Sequence, residues 1–356
     1  QMSDEVISRV ADDLASIIYT SGTTGKPKGA MITHSNLAAN ANMLTEAWAY
    51  SSDDVLLHAL PLFHVHGLFV ALNLALMNGG PMIMLPKFDP DLVLSVMPSA
   101  TVMMGVPTFY TRLLADSRFD RQSSGHMRLF ISGSAPLLVE TSDDFFDRTG
   151  QRILERYGMT ETGGVVCMAQ KADLPEHMGY AGRALPYGEL KVMTSETQEA
   201  NPGELGEIWM RGASVTPGYW NRPDATEEAF VGDWLKSGDI GRKDETGRLS
   251  VEDRIKDMYI SGGENVYPAE IESILMAHPD IREVAVIGVP DSKWGEVGCA
   301  VIASLSGEAV SLDSVHALCE RTLARFKWPQ QVIHTEVLPR NSTGKVQKFL
   351  LRQAHS

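Results

Sequence analysis

Ten residues near the start of the chain, Thr20-Ser21-Gly22-Thr23-Thr24-Gly25-Lys26-Pro27-Lys28-Gly29, bring together four hydroxyls, three glycines and two lysines. Glycine lets a backbone wrap closely around phosphate oxygens, hydroxyl and N–H groups donate to them, and lysines offset their charge. Pro27 follows Lys26, where the common nucleotide-triphosphate loop has Ser or Thr after its lysine. On composition alone a flexible turn with two solvated lysines accounts for the segment equally well.

Further segments carry weaker signals. In Glu155-Arg156-Tyr157-Gly158-Met159-Thr160-Glu161-Thr162, Glu161 suits a divalent cation and Thr160 a phosphate, although a carboxylate in a polar turn is more often simply solvated. Ser237-Gly238-Asp239, with Asp253-Arg254 following across a hairpin, offers a fixed carboxylate to ribose hydroxyls; an aspartate in a β-turn is the commoner case. The glycines of Ser261-Gly262-Gly263-Glu264-Asn265 admit a narrow ligand close to the backbone. Lys345, in a C-terminal loop, carries little weight alone. If Thr108 begins a helix, Arg112 lies one turn along and can face the same cavity. Its planar, permanently charged fork suits a carboxylate, and it equally suits the exposed side of an amphipathic helix.

These residues need a frame. An apolar run, Ala15 to Tyr19, reads as a strand entering the glycine-rich loop, and Ser35 caps a helix from about Asn36 to Trp48. Strand-like and helix-like segments then alternate to about residue 165, including strands at Thr101–Val106 and Leu129–Ser132, which predicts an α/β layer architecture with mainly parallel strands. From Gly188 to Arg254 short β-rich runs broken by Asn201-Pro202-Gly203, Thr216-Pro217-Gly218 and Glu245-Thr246-Gly247 predict antiparallel sheet. A compact α+β unit follows, with a helix opened by Pro268, strands at Glu283–Val289 and Cys299–Leu305, and a helix from about Leu312 to Arg325. The expected domains are residues 1–253 and 254–356, and Leu338 to Lys348 reads as an ordered surface loop.

Composition narrows the partners. The chain has 356 residues, 44% hydrophobic and 21% charged, which argues against wholesale disorder and leaves room for two or three domains. A net charge of −14 disfavours nucleic acid and anionic lipid surfaces, so an anionic substrate requires a locally basic pocket. Three cysteines without close pairing argue against a disulfide framework or zinc cluster and fit a reducing, cytoplasmic setting. The cleanest apolar run, Leu68 to Met77, falls short of the ~20 residues of a membrane span, and no secretory signal is visible.

Taken in order, Tyr-Thr-Ser-Gly-Thr-Thr-Gly-Lys-Pro-Lys-Gly, Tyr-Gly-Met-Thr-Glu, Ser-Gly-Asp, Asp-Arg-Ile-Lys-Asp, Gly-Gly-Glu-Asn-Val-Tyr-Pro and Asn-Ser-Thr-Gly-Lys resemble the adenylate-forming superfamily of acyl-CoA synthetases, adenylation domains and luciferases, from Ile17 to about Lys348. The resemblance implies a large AMP-binding domain, a smaller mobile C-terminal α+β domain, and ATP, Mg²⁺ and CoA as co-substrates and cofactor. It implies that Thr20 and Glu161 hold Mg²⁺, that Ser21, Gly22, Thr23, Thr24, Gly25, Lys26 and Lys28 embrace the β- and γ-phosphates, and that Thr160 meets the α-phosphate. Asp239 and Arg254 would hold the ribose, and adenine would lie against Gly133-Ser134-Ala135 and Tyr157-Gly158. Lys345 would act in adenylation, Asp253 as hinge, and Ser261, Gly262, Gly263 and Glu264 at the CoA channel. Family members carry well over a hundred residues before the glycine-rich loop, whereas 16 precede Ile17, so an N-terminal subdomain is expected to be missing.

The segments Leu60–Leu68, Gly105–Leu113 and Leu129–Ala135 most resemble malonyl-CoA synthetases, which implies that Arg112 and Ser134 clamp a distal carboxylate and that His64 lies at the acyl pocket. His64 also reads as a satisfied core histidine. Gly163-Gly164-Val165-Val166 differs from the bulkier residues of that branch and implies a roomier wall, one that admits methylmalonate. The competing expectations are a medium-chain or aryl acyl-CoA synthetase, a carrier-loading adenylation domain, and an adenylate-binding module without turnover.

Overall fold

In the computed structural model, which describes residues 7–20, 27–168, 180–340 and 345–355, the glycine-rich segment is entered by strand β1 (Leu14–Thr20) and left by β2 (Lys28–Thr33). The two pair antiparallel, with Thr20 opposite Lys28. Residues 21–26, which include Ser21, Gly22, Thr23, Thr24, Gly25 and Lys26, lie outside the described residues. Helix α1 (His34–Trp48) follows at once. Its cap is Thr33 rather than the expected Ser35: the Thr33 hydroxyl accepts from Asn36 N–H at 3.1 Å while the Asn36 side chain accepts from Thr33 N–H, so both ends of the box are satisfied.

The central sheet is built from β3 (Leu56–His58), β4 (Met82–Met84), β5 (Val102–Gly105), β6 (Leu129–Ser132) and β7 (Ile153–Tyr157), in the order β4-β3-β5-β6-β7 with parallel neighbours, as the alternation of segments predicts. It is extended antiparallel by β8 (Cys167–Met168) and β9 (Arg183–Ala184). Period-2 alternation sends Leu56, Val102, Met104, Leu129, Ile131 and Leu154 to one face and Leu57, Met103, Phe130 and Ile153 to the other. Met43, Leu44 and Trp48 of α1 and Leu74 of α2 (Leu74–Asn78) cover the first face. The second is covered by Val93 of α3 (Pro90–Val96), by Tyr110 and Leu113 of α4 (Pro107–Leu114), by the loops flanking α5 (Arg121–Ser124), and by Phe145 of α6 (Val139–Thr149). Helix α4 starts at Pro107, one residue ahead of Thr108, because a proline at the first helical position loses no intrahelical bond.

The turn-rich segment forms the expected antiparallel sheet from β10 (Gly188–Ser195), β11 (Gln198–Glu199), β12 (Gly206–Gly212), β13 (Phe230–Val231), β14 (Trp234–Lys243) and β15 (Leu249–Arg254), with α7 (Pro223–Ala229) ahead of β13. Beyond it lie the hairpin β16 (Tyr259–Ser261) and β17 (Glu264–Val266), α8 (Pro268–Leu275), β18 (Ile281–Asp291), β19 (Gly295–Ser304), α9 (Leu312–Cys319), β20 (Gln331–His334) and α10 (Lys348–His355). Two expectations need correction here. Helix α9 ends at Cys319, well before Arg325, where Cys319 and Leu323 both turn into the core under β18 and β19. The C-terminal segment is more than a surface loop: Leu338 and Leu351 are buried against Ala285, Ile287 and Val301, and an amphipathic helix begins at Lys348.

Candidate active site

Parallel strands direct their carboxyl ends to one edge, and the chain segments leaving that edge hold several of the expected site residues. His64 and His66 follow β3, Arg112 follows β5, Gly133-Ser134-Ala135 follow β6, and Gly158, Thr160 and Glu161 follow β7. Register sets these loops side by side, since Gly105 pairs with Ser132 and Ser132 with Glu155.

After β7 the backbone makes a single 3₁₀ turn, Thr160–Thr162, tied by the Thr162 hydroxyl donating to Met159 O at 2.9 Å. Gly158 has no alternative there, because an added Cβ would stand 2.2 Å from the Gly164 carbonyl oxygen. The turn buries Glu161, whose carboxylate accepts from Tyr219 O–H at 2.8 Å. Burial pushes the Glu161 pKa up, opposed by the Tyr219 hydrogen bond and by Arg254 and Lys28. Tyr219 also ties Glu161 to the β1–β2 pair. It bridges to Ala30, Trp220 N–H donates to Gly29 O at 2.8 Å, and the Lys28 ammonium lies 4.9 Å from the Tyr219 ring centroid.

The second half of the site comes from β14 and β15. Their register sets Asp239 opposite Arg254, and the guanidinium Nε stands 3.2 Å from Asp239 Oδ1. Tyr157 donates its hydroxyl to Asp239 Oδ2 at 2.7 Å, which joins the antiparallel sheet to the end of β7. Lys345 is brought to this pair. Part of its side chain stays exposed, yet burial of the ammonium, with Arg254 and Lys256 nearby, pushes its pKa down to about 7 against the pull of Asp239 and Asp257. Burial likewise brings Lys256 down to about 8, with Arg254 adding to the effect. Sequence reasoning gave Lys256 no role; its one signal was its place two residues beyond Arg254. The hinge candidate Asp253 is buried, accepts from Ala269 N–H at 2.8 Å, and is pushed up by burial and held down by Lys348.

The structure does not bring every candidate to this cluster. The Ser261–Glu264 hairpin turn packs on Trp294, with Gly262 N–H donating to Trp294 O at 2.8 Å. Arg112 is exposed on α4 and lies 4.8 Å over the ring of Phe88, itself stacked on Phe109. Ser134 is exposed at φ +70°, and its hydroxyl pairs with His66 Nδ1 at 3.2 Å.

One residue that sequence reasoning passed over dominates the region between Ser134 and His64. Arg156 points to the opposite face of β7 from Glu155 and Tyr157 and is 5% exposed. Its Nη1 donates to Gly164 O at 3.1 Å; among the described residues its Nε and Nη2 have no partner, and it forms no ion pair. The guanidinium lies flat on Gly133, where an added Cβ would sit 2.6 Å from its central carbon. Burial brings its pKa down to about 9, still cationic at neutral pH. His64 responds to this charge: burial, Arg156 and Lys345 hold it neutral, down to about 4. Its Nδ1 accepts from His66 N–H at 3.1 Å, so the His64 proton resides on Nε2. An arginine inside a central strand was the available signal. A Cβ on Gly164 would meet Val70 at 2.3 Å, so the chain needs glycine at that point of the wall.

The described residues therefore gather a buried carboxylate beside the β1–β2 pair, an aspartate paired with an arginine, and lysines from both ends of the chain. Residues 3–220 match the family described as AMP-binding enzyme, and residues 270–345 match the AMP-binding enzyme C-terminal domain. The chain belongs to the AMP-binding enzyme family. This ligase is 39% identical over 345 residues to a feruloyl-CoA synthase of Amycolatopsis sp, covering 96% of this chain and 70% of the relative. It is 39% identical over 351 residues to the long-chain-fatty-acid–CoA ligase FadD13 of Mycobacterium tuberculosis, covering 97% and 68%. Among solved structures, ATP-bound MatB from Rhodopseudomonas palustris superposes with a TM-score of 0.92 at 48% identity, covering 98% of this chain and 69% of that one. The o-succinylbenzoate CoA synthetase of Bacillus subtilis in complex with ATP and magnesium ion gives 0.90 at 33%, covering 100% and 73%.

The protein is an adenylate-forming, AMP-forming acyl-CoA ligase that uses ATP, Mg²⁺, a carboxylic acid and CoA. Among the described residues no cluster of three or more His, Cys, Asp or Glu could cage a metal. No described helix is long and apolar enough to cross a membrane. The acids of the relatives differ, so family membership leaves the acyl group open.

Proposed function

We propose that this ligase activates a short dicarboxylic acid, malonate or methylmalonate, as an acyl-adenylate and passes it to CoA. The observation that carries this reading is Arg156: a buried guanidinium, two of whose nitrogens have no partner among the described residues, packed on Gly133 next to Ser134 and close enough to His64 and His66 for its charge to help hold both neutral. Burying an unpaired charge is costly, and a substrate carboxylate repays that cost in a way an alkyl chain does not. Arg112, in the last turn of the adjoining helix α4, adds a second cation.

In the first half-reaction a carboxylate oxygen of the acid bonds to the α-phosphorus and pyrophosphate leaves; in the second the CoA thiolate bonds to the acyl carbon and AMP leaves. The barrier to the first step is one anion approaching another. Lys345, aided by Arg254 and Lys256, places positive charge where the two meet, and Thr160 donates to the α-phosphate. Thr20 and Glu161 would hold Mg²⁺, which when bound would neutralise phosphate charge. Asp239 and Arg254 hold the ribose, and Tyr157, donating to Asp239, forms with Gly133-Ser134-Ala135 the walls around adenine. With Lys345 at Asp239, the arrangement is the one for adenylation. Residues 254–356 then swing about Asp253 to carry Ser261–Glu264 to the acyl group. A medium-chain or aryl acid is the second reading, favoured by the Phe88–Phe109 stack beside Arg112 and by the feruloyl-CoA synthase relative.

ATP–pyrophosphate exchange with malonate, methylmalonate, acetate, hexanoate and ferulate separates the two. Malonate or methylmalonate is expected to lead by at least tenfold in kcat/KM; a lead for hexanoate or ferulate transfers the proposal to the second reading. AMP release with CoA present distinguishes turnover from binding alone.

Tyr219→Phe removes a hydrogen bond to a buried carboxylate, an interaction worth about 1.5–3 kcal/mol. The Mg²⁺ needed for half-maximal exchange is expected to rise about tenfold, with KM for the acid unchanged. An unchanged Mg²⁺ requirement removes Tyr219 from any part in holding Glu161.

A further inference from the structure

Ser134 occupies a left-handed backbone conformation, φ +70°, that non-glycine side chains rarely adopt. Such a residue keeps its place only where its surroundings over-determine it. Gly133, pressed on the Arg156 guanidinium, fixes the backbone on one side. The hydroxyl is fixed by His66, whose Nδ1 stands 3.2 Å from Ser134 Oγ. His66 is itself immobilised: it is 1% exposed at the start of the π-helical segment His66–Asn73, and its N–H donates to His64 Nδ1.

The direction of the His66–Ser134 bond follows from what surrounds the ring. His66 is held neutral by burial beside Arg156, so one nitrogen carries a proton and the other does not. Its Nε2 is buried and has no partner among the described residues. A proton on Nε2 would leave a buried N–H without an acceptor, the rarer defect, and would turn that donor into the field of a nearby cation. A proton on Nδ1 leaves a bare Nε2, the lesser defect, and makes His66 the donor. Ser134 Oγ then accepts, and its own proton is free for a substrate.

We infer that His66 is a positioning residue for acid recognition: its Nδ1–H holds Ser134 Oγ so that the serine hydroxyl donates to the far carboxylate of the substrate. The inference rests on the dicarboxylate reading. It makes His66, which nothing in composition or periodicity marked, a determinant of which acid is accepted.

Two isosteric substitutions test it. His66→Asn sets an amide N–H near the place of Nδ1, whereas His66→Gln sets one near the place of Nε2. With malonate, His66→Asn is expected to stay within about threefold of wild type in KM. His66→Gln should raise KM at least tenfold, with kcat and KM for ATP unchanged in both. On a Ser134→Ala background the Asn and Gln variants should become indistinguishable. Equal KM values for the two single variants, or a difference that persists without the serine hydroxyl, overturn the inference alone. A wild type without malonate or methylmalonate exchange overturns the dicarboxylate reading, and the inference with it. Nitrogen-15 NMR of wild-type histidines supplies a measurement independent of variant folding: a protonated Nδ1 at His66 supports the inference, and a protonated Nε2 overturns it.

Discussion

Lys345→Ala is expected to lower ATP–pyrophosphate exchange by about 10²–10³-fold while thioester formation from supplied acyl-adenylate stays within a few-fold of wild type. The asymmetry follows from placement. Lys345 stands with Arg254 and Asp239, and the Ser261–Glu264 turn does not; in the proposed swing of the C-terminal residues the two would exchange places. Equal loss of both half-reactions would remove the lysine from its adenylation role. The same crowding sets a pH dependence. The Lys345 ammonium, down to about 7 from an ordinary value of 10.5, is charged below that pH and neutral above it. Exchange measured as kcat/KM should therefore fall as pH rises through about 7, and Lys345→Ala should abolish that alkaline limb along with the rate. ATP, by adding negative charge next to the ammonium, should move the limb of kcat to higher pH.

Arg156→Met carries the other large effect. Removing the charge that meets a buried carboxylate costs about 2–5 kcal/mol in recognition, so kcat/KM for malonate should fall about 10²-fold or more. Exchange with acetate, which lacks the second carboxylate, should change by less than threefold. The variant should melt no lower than wild type, because methionine fills similar volume without an unsatisfied buried guanidinium. A lower melting temperature with malonate preference intact would make Arg156 a structural cation and end the dicarboxylate reading. Arg112→Leu provides the comparison. Exposed and resting on Phe88, Arg112 should contribute about tenfold or less, and unchanged malonate activity in that variant would remove it from the clamp.

Some features of this site were legible early for identifiable reasons. Strands β5 and β6 were readable because short apolar runs bounded by turn residues carry their own signal. The α8 start at Pro268 was readable because proline at the first helical position has a local cause. The cap of α1 was misplaced by two residues, since Thr33 and Ser35 are both good caps and only the reciprocal bond to Asn36 decides between them. Helix α10 went unread because its amphipathic face has meaning only against Ile287 and Val301, which lie 64 and 50 residues upstream of Leu351.

The order of the motifs along the chain, through their resemblance to the adenylate-forming superfamily, already pointed to this architecture, because a string of short motifs in a fixed order is far more specific than any one of them. They did not reveal which groups share a field. Arg156 looked like one charge among many until burial left two of its nitrogens without a partner among the described residues, and Lys345 looked like a solvated lysine until Arg254 and Lys256 stood beside it. His66 looked like a neighbour of His64 until Ser134 came within 3.2 Å from 68 residues away. Desolvation and Coulomb interactions depend on distances through space, and those exist only once the chain has folded.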